Sequence, residues 1–234
     1  MKRAVFLLLL WARCGGAATV TGNVVLTNED GTVAKKADHS GVVVWMEPVG
    51  GAPLPPPSSS RMATMDQRNS MFAPHVLAIQ AGTAVDFPNS DPIMHNAYSN
   101  YDGQVFDLHL YEPKTSRRVV FRRNGIVRVF CNVHADMSAT IAVLPTPYFA
   151  VTGVDGRFQI QAPAGSYRLQ VWQERGQPES LARLEQRITV GAQDLKLPEI
   201  QIRQGAAQLD HKNKYGQEYF SAPNAHVFYP GGRR

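Results

Sequence analysis

Three side chains that can bind a transition metal stand at regular intervals in the short stretch VFCNVHADM. Cys131, His134 and Met137 are separated by two residues each. A Cys-x-x-His pair is common by chance, but a thiol, an imidazole and a thioether at this spacing are a stronger signal, because all three bind soft or borderline metal ions. The sequence therefore predicts a metal site, and His95, in the turn-rich segment FPNSDPIMHN, is the candidate for a ligand from elsewhere.

Two other interpretations of this cysteine stay open on the residues alone. A buried, inert thiol that packs as a small apolar side chain is common for single cysteines. A cysteine hydrolase would need a nucleophile, a base and a group that orients the base. Because Cys131 and His134 share one short loop and no third group is apparent, we expect that the protein is not an enzyme.

The amino-terminal segment predicts export. Basic residues precede an apolar run from Ala4 to Ala12, and small residues follow, as in a secretory signal peptide with cleavage near Ala18. No later stretch approaches the roughly 20 apolar residues of a membrane helix. Cys14 would leave with the leader, so Cys131 would be a free thiol in an oxidising compartment, where metal ligation is one way to protect it.

The charge of the chain gives no reason to expect nucleic-acid binding. The formal net charge is +5, and three of the basic residues lie in the predicted leader, so the mature chain is close to neutral. Five arginines cluster in the strand-rich middle of the chain. We expect them on solvent-facing strand positions, with a docking patch for an acidic partner as the alternative: Arg117, Arg118, Arg122, Arg123 and Arg128.

Strand signals predict an all-β fold. Short β-branched and aromatic runs, separated by Gly, Pro, Asn and Asp, recur throughout, and a helical period is found only at 178–186. A mature chain of about 215 residues suits two sandwiches. In the strand GIVRVFC, alternation places Cys131 on the inward face with Val127 and Val129. A tight turn before SATIAVL would then bring His134 and Met137 to the same end of a sandwich.

The segment around His95 resembles the cupredoxins, which are blue copper proteins with a Greek-key β-sandwich. Their pattern of an F-x-P strand, a glycine turn, a V-x-F strand and N-x-D before His-Asn is found here, with the Cys-x-x-His-x-x-Met loop in the right order, over 62–146. The loop spacing is similar to that of amicyanin-type members. The matching residues are Phe72, Pro74, Leu77, Ile79, Gly82, Val85, Phe87, Asn89, Asp91, His95 and Asn96.

The resemblance implies one type 1 copper per chain, bound by His95, Cys131 and His134 with Met137 as a weak axial ligand. Two imidazoles and a thiolate in a plane suit both Cu(I) and Cu(II), so little rearrangement accompanies electron transfer. Asn96 is expected to tie its loop to the cysteine loop. Amicyanin-type loops commonly have Pro and a bulky residue at the positions of Ala135 and Asp136. This difference leaves open which redox partner the protein binds and what its reduction potential is.

A second resemblance concerns the flanking segments, which are similar to carboxypeptidase regulatory-like (transthyretin-like) β-sandwiches. A G-x-V strand and a valine-rich strand open the chain, whereas the D-x-x-G-x-F-x-I and P-x-G-x-Y-x-L-x-V motifs come only after the cupredoxin-like segment. We therefore expect an inserted cupredoxin domain, with tandem order as the alternative. The predicted division is a signal peptide (1–18), a first hairpin of the regulatory-like sandwich (19–58), the cupredoxin domain (62–146), the rest of the regulatory-like sandwich (147–203) and a C-terminal tail (204–234).

The order of these motifs resembles bacterial proteins labelled methylamine utilization proteins. That resemblance implies a periplasmic one-electron carrier whose redox partner is a c-type cytochrome or a periplasmic dehydrogenase. Copper storage or delivery, which would favour a more open or Met-rich site, is the first alternative, and a structural β-sandwich protein without a redox role is the second. Among the other histidines, His109 is an alternative ligand, while His75, His211 and His226 are expected to be solvated or structural.

Overall fold

The computed structural model describes residues 16–33, 37–50, 54–56, 62–100, 103–205, 213–217 and 219. Over these residues the fold is almost entirely β, as the sequence predicts. In chain order the elements are β1 (Ala18–Thr27), β2 (Val43–Pro48), β3 (Ala63–Thr64), β4 (Asp66–Arg68), β5 (Met71–Ala73), β6 (Val76–Gln80), β7 (Ala84–Pro88), β8 (Tyr98–Ser99), β9 (Phe106–Asp107), β10 (Ser116–Val120), β11 (Gly125–Phe130), β12 (Ser138–Leu144), β13 (Phe149–Val151), β14 (Arg157–Ala162), β15 (Gly165–Trp172), α1 (Pro178–Ala182), β16 (Gln186–Val190), β17 (Leu195–Lys196) and β18 (Ile200–Arg203).

Some predictions fall outside the described residues. These are the leader up to residue 15, most of the Pro- and Ser-rich linker, and the tail histidines His211 and His226. In the described part of the chain, no helix has the length and apolar character of a bilayer span.

The strands at the two ends of the described chain build one β-sandwich. In its first sheet β1 pairs antiparallel with β14, with Val20 opposite Ile160, and parallel with β17 and β18. Its second sheet has the order β13-β2-β15-β16. Burial alternates strictly along β14, which is the pattern of a strand with one face on the core and the other in water. Both sheets contribute side chains to a single apolar cluster.

The segment predicted as a first hairpin is not a hairpin, because β1 and β2 lie in different sheets. Each strand carries an apolar row, and two facing sheets bury both rows against each other. Val20 and Val24 of β1 share a core cluster with Val44 and Met46 of β2. The long connection between the strands therefore crosses from one sheet to the other.

Residues between these two sets of strands form a second β core. Its larger sheet has the order β6-β12-β11-β8-β9, and a smaller sheet has the order β10-β7-β3. Phe87, Phe121 and Ile141 are among the fully buried residues of its apolar cluster, to which Cys131 and Met137 also belong. The strands that flank the predicted metal ligands are thus part of this core.

The two cores pack on each other through β12. Residues of this strand are buried on both faces: Ile141 belongs to the second core, whereas Ala142 and Leu144 belong to a cluster that includes Val43 of β2. A strand that is buried on both faces loses the apolar–polar alternation of a solvated strand, as the SATIAVL sequence does. The strand that follows the loop with Cys131, His134 and Met137 therefore packs on both cores.

Helix α1 is shorter than the helical period at 178–186 suggests. It begins at Pro178, where the missing amide proton of proline costs no helical hydrogen bond, and it ends at Ala182. Gln186, the last residue of the predicted helical period, is the first residue of β16.

Candidate metal centre

The loop that carries Cys131 is short because the strands on either side are paired up to its ends. Phe130 of β11 lies opposite Ser138 of β12, which leaves residues 131–137 as the connection. Cys131 N–H donates to the Met137 carbonyl at 3.0 Å, and Met137 N–H donates to the His134 carbonyl at 3.2 Å. These bonds close the loop on itself and hold Cys131, His134 and Met137 at one end of the second core.

His95 reaches the same place from the segment between β7 and β8. It forms an isolated antiparallel bridge with Tyr111, with N–H to carbonyl distances of 3.3 and 2.9 Å in the two directions. His95 is 0% exposed, so water cannot bind its backbone, and the two hydrogen bonds to Tyr111 satisfy both its N–H and its carbonyl group. This pairing fixes the backbone from which the imidazole reaches the cysteine.

Three potential ligand atoms converge. The Nδ1 atoms of His95 and His134 lie 3.8 and 3.7 Å from Cys131 Sγ, and all three atoms lie within 4.8 Å of one another. With metal–nitrogen bonds of about 2.0–2.1 Å and a metal–sulfur bond of about 2.3 Å at trigonal angles, nitrogen and sulfur would stand about 3.8 Å apart. Both observed sulfur–nitrogen distances fit a thiolate and two imidazoles that share one metal ion.

Met137 lies in the same cluster as Cys131 and is 0% exposed. Its carbonyl accepts the Cys131 amide, so its backbone closes the ligand loop whatever its sulfur does. The structure thus brings all four predicted ligand residues to one end of the core.

Asp91 orients the imidazole of His95. Its Oδ2 lies 2.8 Å from His95 Nε2, which leaves Nδ1 facing the thiol. The carboxylate also accepts the backbone N–H groups of Asn69 at 2.6 Å and Ser70 at 2.8 Å. Both of these residues have a left-handed backbone, with φ of 54° and 53°, and so present successive amides to one anion. A carboxylate behind a ligating histidine selects its tautomer and orientation.

The charge state of Asp91 follows from these contacts. Burial raises its pKa, but the hydrogen bonds from Ser70, His95 and Asn69 outweigh burial, so the pKa lies below its usual value. Asp91 is therefore an anionic acceptor for the Nε2 proton of His95.

The ionisation of the other two groups also bears on metal binding. Burial raises the pKa of the Cys131 thiol, and the backbone N–H groups of Asn96, Val133 and His134 reduce the rise without cancelling it. Burial lowers the pKa of His134, and the nearby His95 lowers it further. Both shifts favour the uncharged forms of Cys131 and His134, so metal binding would release the thiol proton.

Asn96 links the two ligand loops, as expected from the sequence. Its Oδ1 accepts the Asn132 N–H at 2.6 Å, and its Nδ2 donates to Asp107 Oδ1 at 3.3 Å. Asn96 follows His95 and Asn132 follows Cys131, so one side chain connects neighbours of two predicted ligands.

Sequence reasoning missed two contributors to this region. Asp91 appears in the sequence only as part of a matched motif, and its contact with His95 depends on the backbone of Asn69 and Ser70. Tyr219, in the tail, donates to the Cys131 carbonyl at 2.7 Å. The tail has no alternation or spacing that could have indicated this contact.

The alternative histidines lie away from the site. The His109 side chain is 81% exposed, with Nδ1 3.5 Å from Asp107. His75 lies in the surface between the two cores, where its ring contacts Glu174 and the Ser138 carbonyl. Neither belongs to the group of convergent ligand atoms.

Comparisons with known proteins give a partial match. No protein-family model matches the chain. A segment of 59 residues, 25% of the chain, is 42% identical to the methylamine utilization protein MauL of Methylorubrum extorquens and spans 52% of that protein. The chain therefore matches about half the length of this relative.

Solved copper proteins show weaker likenesses. A purple cupredoxin from Nitrosopumilus maritimus is 22% identical, over 35% of this chain and 99% of that one, with a TM-score of 0.32. Amicyanin from Paracoccus versutus is 19% identical over 42% of this chain and 92% of the amicyanin chain, with a TM-score of 0.34. A copper nitrite reductase from Thermus scotoductus is 25% identical over 42% of this chain and 25% of the reductase chain, with a TM-score of 0.35. At such scores these likenesses support no conclusion about the chain.

Proposed function

We propose that this protein is a periplasmic type 1 copper protein that carries single electrons. The observation that carries the proposal is the convergence of His95 Nδ1, Cys131 Sγ and His134 Nδ1 at separations that fit one ion. A thiolate with two imidazoles is the ligand set that suits copper in both oxidation states. The similarity of one segment to a methylamine utilization protein supports a redox role.

Each residue of the site has a part in this function. A bound copper ion would supply a one-electron couple, and His95, Cys131 and His134 would hold it, with Met137 as a weak fourth donor. The sandwich holds these residues rigidly, because His95 is fixed by Tyr111 and Asp91 and the cysteine loop is closed on itself. Burial of Cys131 and His95 keeps water away from the thiolate.

His134 is the proposed exit for the electron. It is only partly buried, in contrast to His95 and Cys131, and the Ala135–Asp136 stretch beside it is exposed. A partner protein that approaches this end would meet the imidazole edge next to a carboxylate. We propose a c-type cytochrome or a periplasmic dehydrogenase as that partner.

Copper titration tests the proposal. Adding Cu(II) to the mature protein should give an intense thiolate-to-copper absorption band in the visible at one copper per chain. Cys131→Ser should abolish the band, and His95→Gln should weaken binding. His109→Gln is the matched control, since this exposed histidine lies outside the site, and it should bind copper normally.

The redox behaviour separates electron transfer from copper storage or delivery. A reversible couple with fast self-exchange supports a carrier. A protein that stays colourless with Cu(I), or loses its copper on each reduction, would contradict the carrier and favour delivery.

We also propose that the cupredoxin domain is inserted into a regulatory-like sandwich formed by 19–58 and 147–203. The pairing of β1 with β14 and the single cluster that joins them support this division. The insertion ends are neighbours, because Phe149 of β13 lies opposite Trp45 of β2. Replacing residues 50–145 with a short Gly/Ser turn should therefore leave a folded β protein, and an unfolded product would contradict the division.

A further inference from the structure

The C-terminal segment makes a set of contacts with the ligand loops that the proposed function does not explain. We call residues 213–217 and 219 the C-terminal clamp. Tyr219, 88 residues from Cys131 along the chain, donates its hydroxyl proton to the Cys131 carbonyl at 2.7 Å. Its oxygen also lies 3.4 Å from the Tyr98 hydroxyl, on the strand that pairs with β11. The clamp thus contacts the backbone of the cysteine itself.

Cys131 lies just beyond the last paired residue of β11, which is Phe130 opposite Ser138 and Tyr98. Its N–H donates to the Met137 carbonyl within the loop. Its carbonyl is held by the clamp rather than by the strand ladder. Both backbone polar groups of the cysteine are therefore satisfied, one by its own loop and one by Tyr219.

Lys214 attaches the clamp to both ligand loops through a closed ring of hydrogen bonds. Its N–H donates to Asn132 Oδ1 at 3.0 Å, and its Nζ donates to Asp107 Oδ2 at 2.8 Å. Asp107 Oδ1 accepts from Asn96 Nδ2, and Asn96 Oδ1 accepts from the Asn132 N–H. The ring passes through Lys214, Asn132, Asn96 and Asp107 and returns to Lys214.

The Lys214–Asp107 pair is suited to hold this ring. The side chains are 18% and 30% exposed, so solvent screens the pair less than a surface pair. The hydrogen bond to Asp107 raises the pKa of Lys214. Burial raises the pKa of Asp107, but hydrogen bonds from Lys214 and the His109 backbone outweigh burial and lower it. Both groups are charged at neutral pH.

We infer that the C-terminal clamp is a positioning element of the metal site, in which Tyr219 and Lys214 hold the Cys131 and His95 loops together and keep the thiol closed off from solvent. It acts on residues next to the ligands and on the Cys131 carbonyl, and it requires no contact with the ion. The clamp is a property of the metal-free chain, and only its effect on copper rests on the proposed function.

Thiol reactivity in the copper-free full chain tests the clamp. Cys131 is fully buried, so alkylation by iodoacetamide requires a local opening of the loop. With Cys14→Ser, which leaves one thiol, Tyr219→Phe should speed alkylation about two- to tenfold, as expected for the net loss of one hydrogen bond. Lys214→Met should act in the same direction.

Tyr167→Phe is the matched control. The Tyr167 hydroxyl also donates to a backbone carbonyl, that of Pro163 at 2.9 Å, but it lies in the other core. This variant should leave the alkylation rate unchanged. Equal rates in wild type, Tyr219→Phe and Lys214→Met would overturn the clamp.

Urea separates local opening from global unfolding. A local opening exposes little surface, so the alkylation rate of Tyr219→Phe should change little with urea well below the unfolding midpoint. A rate that rises with urea as steeply as the global unfolding equilibrium would show that the variant is merely less stable, and would also overturn the clamp.

Copper gives a second readout. In the loaded protein, Tyr219→Phe should alter the thiolate-to-copper absorption and the electron paramagnetic resonance signal, and Tyr167→Phe should not. Unchanged spectra of the loaded Tyr219→Phe protein would count against positioning of the ligands. If the wild type binds no copper, the proposed function fails, while the alkylation result still decides the clamp.

Discussion

At the scale of single residues, the site depends on groups that stand behind the ligands. Asp91 fixes the ring of His95, and its own position depends on two amides from a turn about twenty residues earlier. The left-handed backbone of Asn69 and Ser70 costs of the order of 1–2 kcal/mol per residue. Hydrogen bonds to a carboxylate offset such a cost, since bonds to charged groups are stronger than neutral ones.

Asp91→Asn should therefore weaken copper binding about ten- to a hundredfold without loss of the fold, the range typical of residues behind metal ligands. The amide retains one acceptor but loses the charge that holds Nε2–H and the two backbone amides. Competition with a copper chelator measures the change. Asp155→Asn is the control, because this exposed carboxylate also accepts a backbone N–H, from Arg157, far from the site. Unchanged affinity in Asp91→Asn would contradict the role given to Asp91.

Met137→Leu should keep copper and colour but raise the reduction potential. Loss of a thioether donor destabilises Cu(II) more than Cu(I). Leu and Met have similar volumes, so the stability cost should stay below about 1.5 kcal/mol. Voltammetry of the purified variant measures the potential. Met65→Leu, at another fully buried methionine of the same core, should leave the potential unchanged; an equal shift in both variants would argue against an axial role.

Residue types and spacing predicted that Cys131, His134 and Met137 lie together, because the three share one short loop where local pattern decides position. His95 was a candidate from another segment, and the resemblance to cupredoxins implied its place beside Cys131. Asp91 and Tyr219 could not be assigned in this way. The role of Asp91 requires the unusual backbone of a distant turn, and that of Tyr219 requires a contact across 88 residues of chain.

At the scale of elements, alternation along single strands was a reliable guide, whereas strand pairing was not. The inward positions of Val127, Val129 and Cys131 follow from the period of β11. The expected pairing of β1 with β2 was wrong. Two strands that each carry an apolar row can bury the rows in one sheet that packs on another layer, or in two sheets that face each other. Sequence patterns do not distinguish these arrangements.

The turn before β14 gives a prediction at this scale. Gly156 has φ of +76°, and a Cβ there would overlap the carbonyl oxygen of Val24 in β1. Gly156→Ala should lower the free energy of unfolding by more than about 1–2 kcal/mol, because backbone strain and a steric clash add. Urea denaturation measures this. Gly191→Ala is the control, since a Cβ there meets nothing within 4 Å; equal losses would contradict the explanation.

At the scale of the whole molecule, the two cores are joined by an apolar cluster and by an ionic contact beside it. His75, between β5 and β6, places Nε2 2.7 Å from Glu174 Oε2 and Nδ1 3.1 Å from the Ser138 carbonyl. Both ring nitrogens face acceptors, and only the imidazolium can donate to both. Ser138 is the first residue of β12, directly after the metal-site loop, so this contact connects the other core to the strand that follows the ligands.

The pKa shifts of His75 and Glu174 show how the stabilising effect of their contact depends on pH. The hydrogen bond to Glu174 raises the pKa of His75, and the same bond lowers the pKa of Glu174. The contribution of His75 to the free energy of unfolding is therefore complete below its unfolded pKa of about 6.5. It is lost as pH rises through the higher pKa of the folded state. The Glu174 contribution is complete above about 4.3 and is lost as pH falls through its lower folded value. The contact stabilises most between these two limits.

His75→Gln should consequently lower the free energy of unfolding more at pH 5.5 than at pH 8.5. The difference should be below about 1 kcal/mol, because the His75 side chain is 53% exposed and solvent screens the pair. Urea titrations of wild type and variant at both pH values measure it. A loss that is equal at the two pH values would mean that His75 joins the cores by packing and not through its charge.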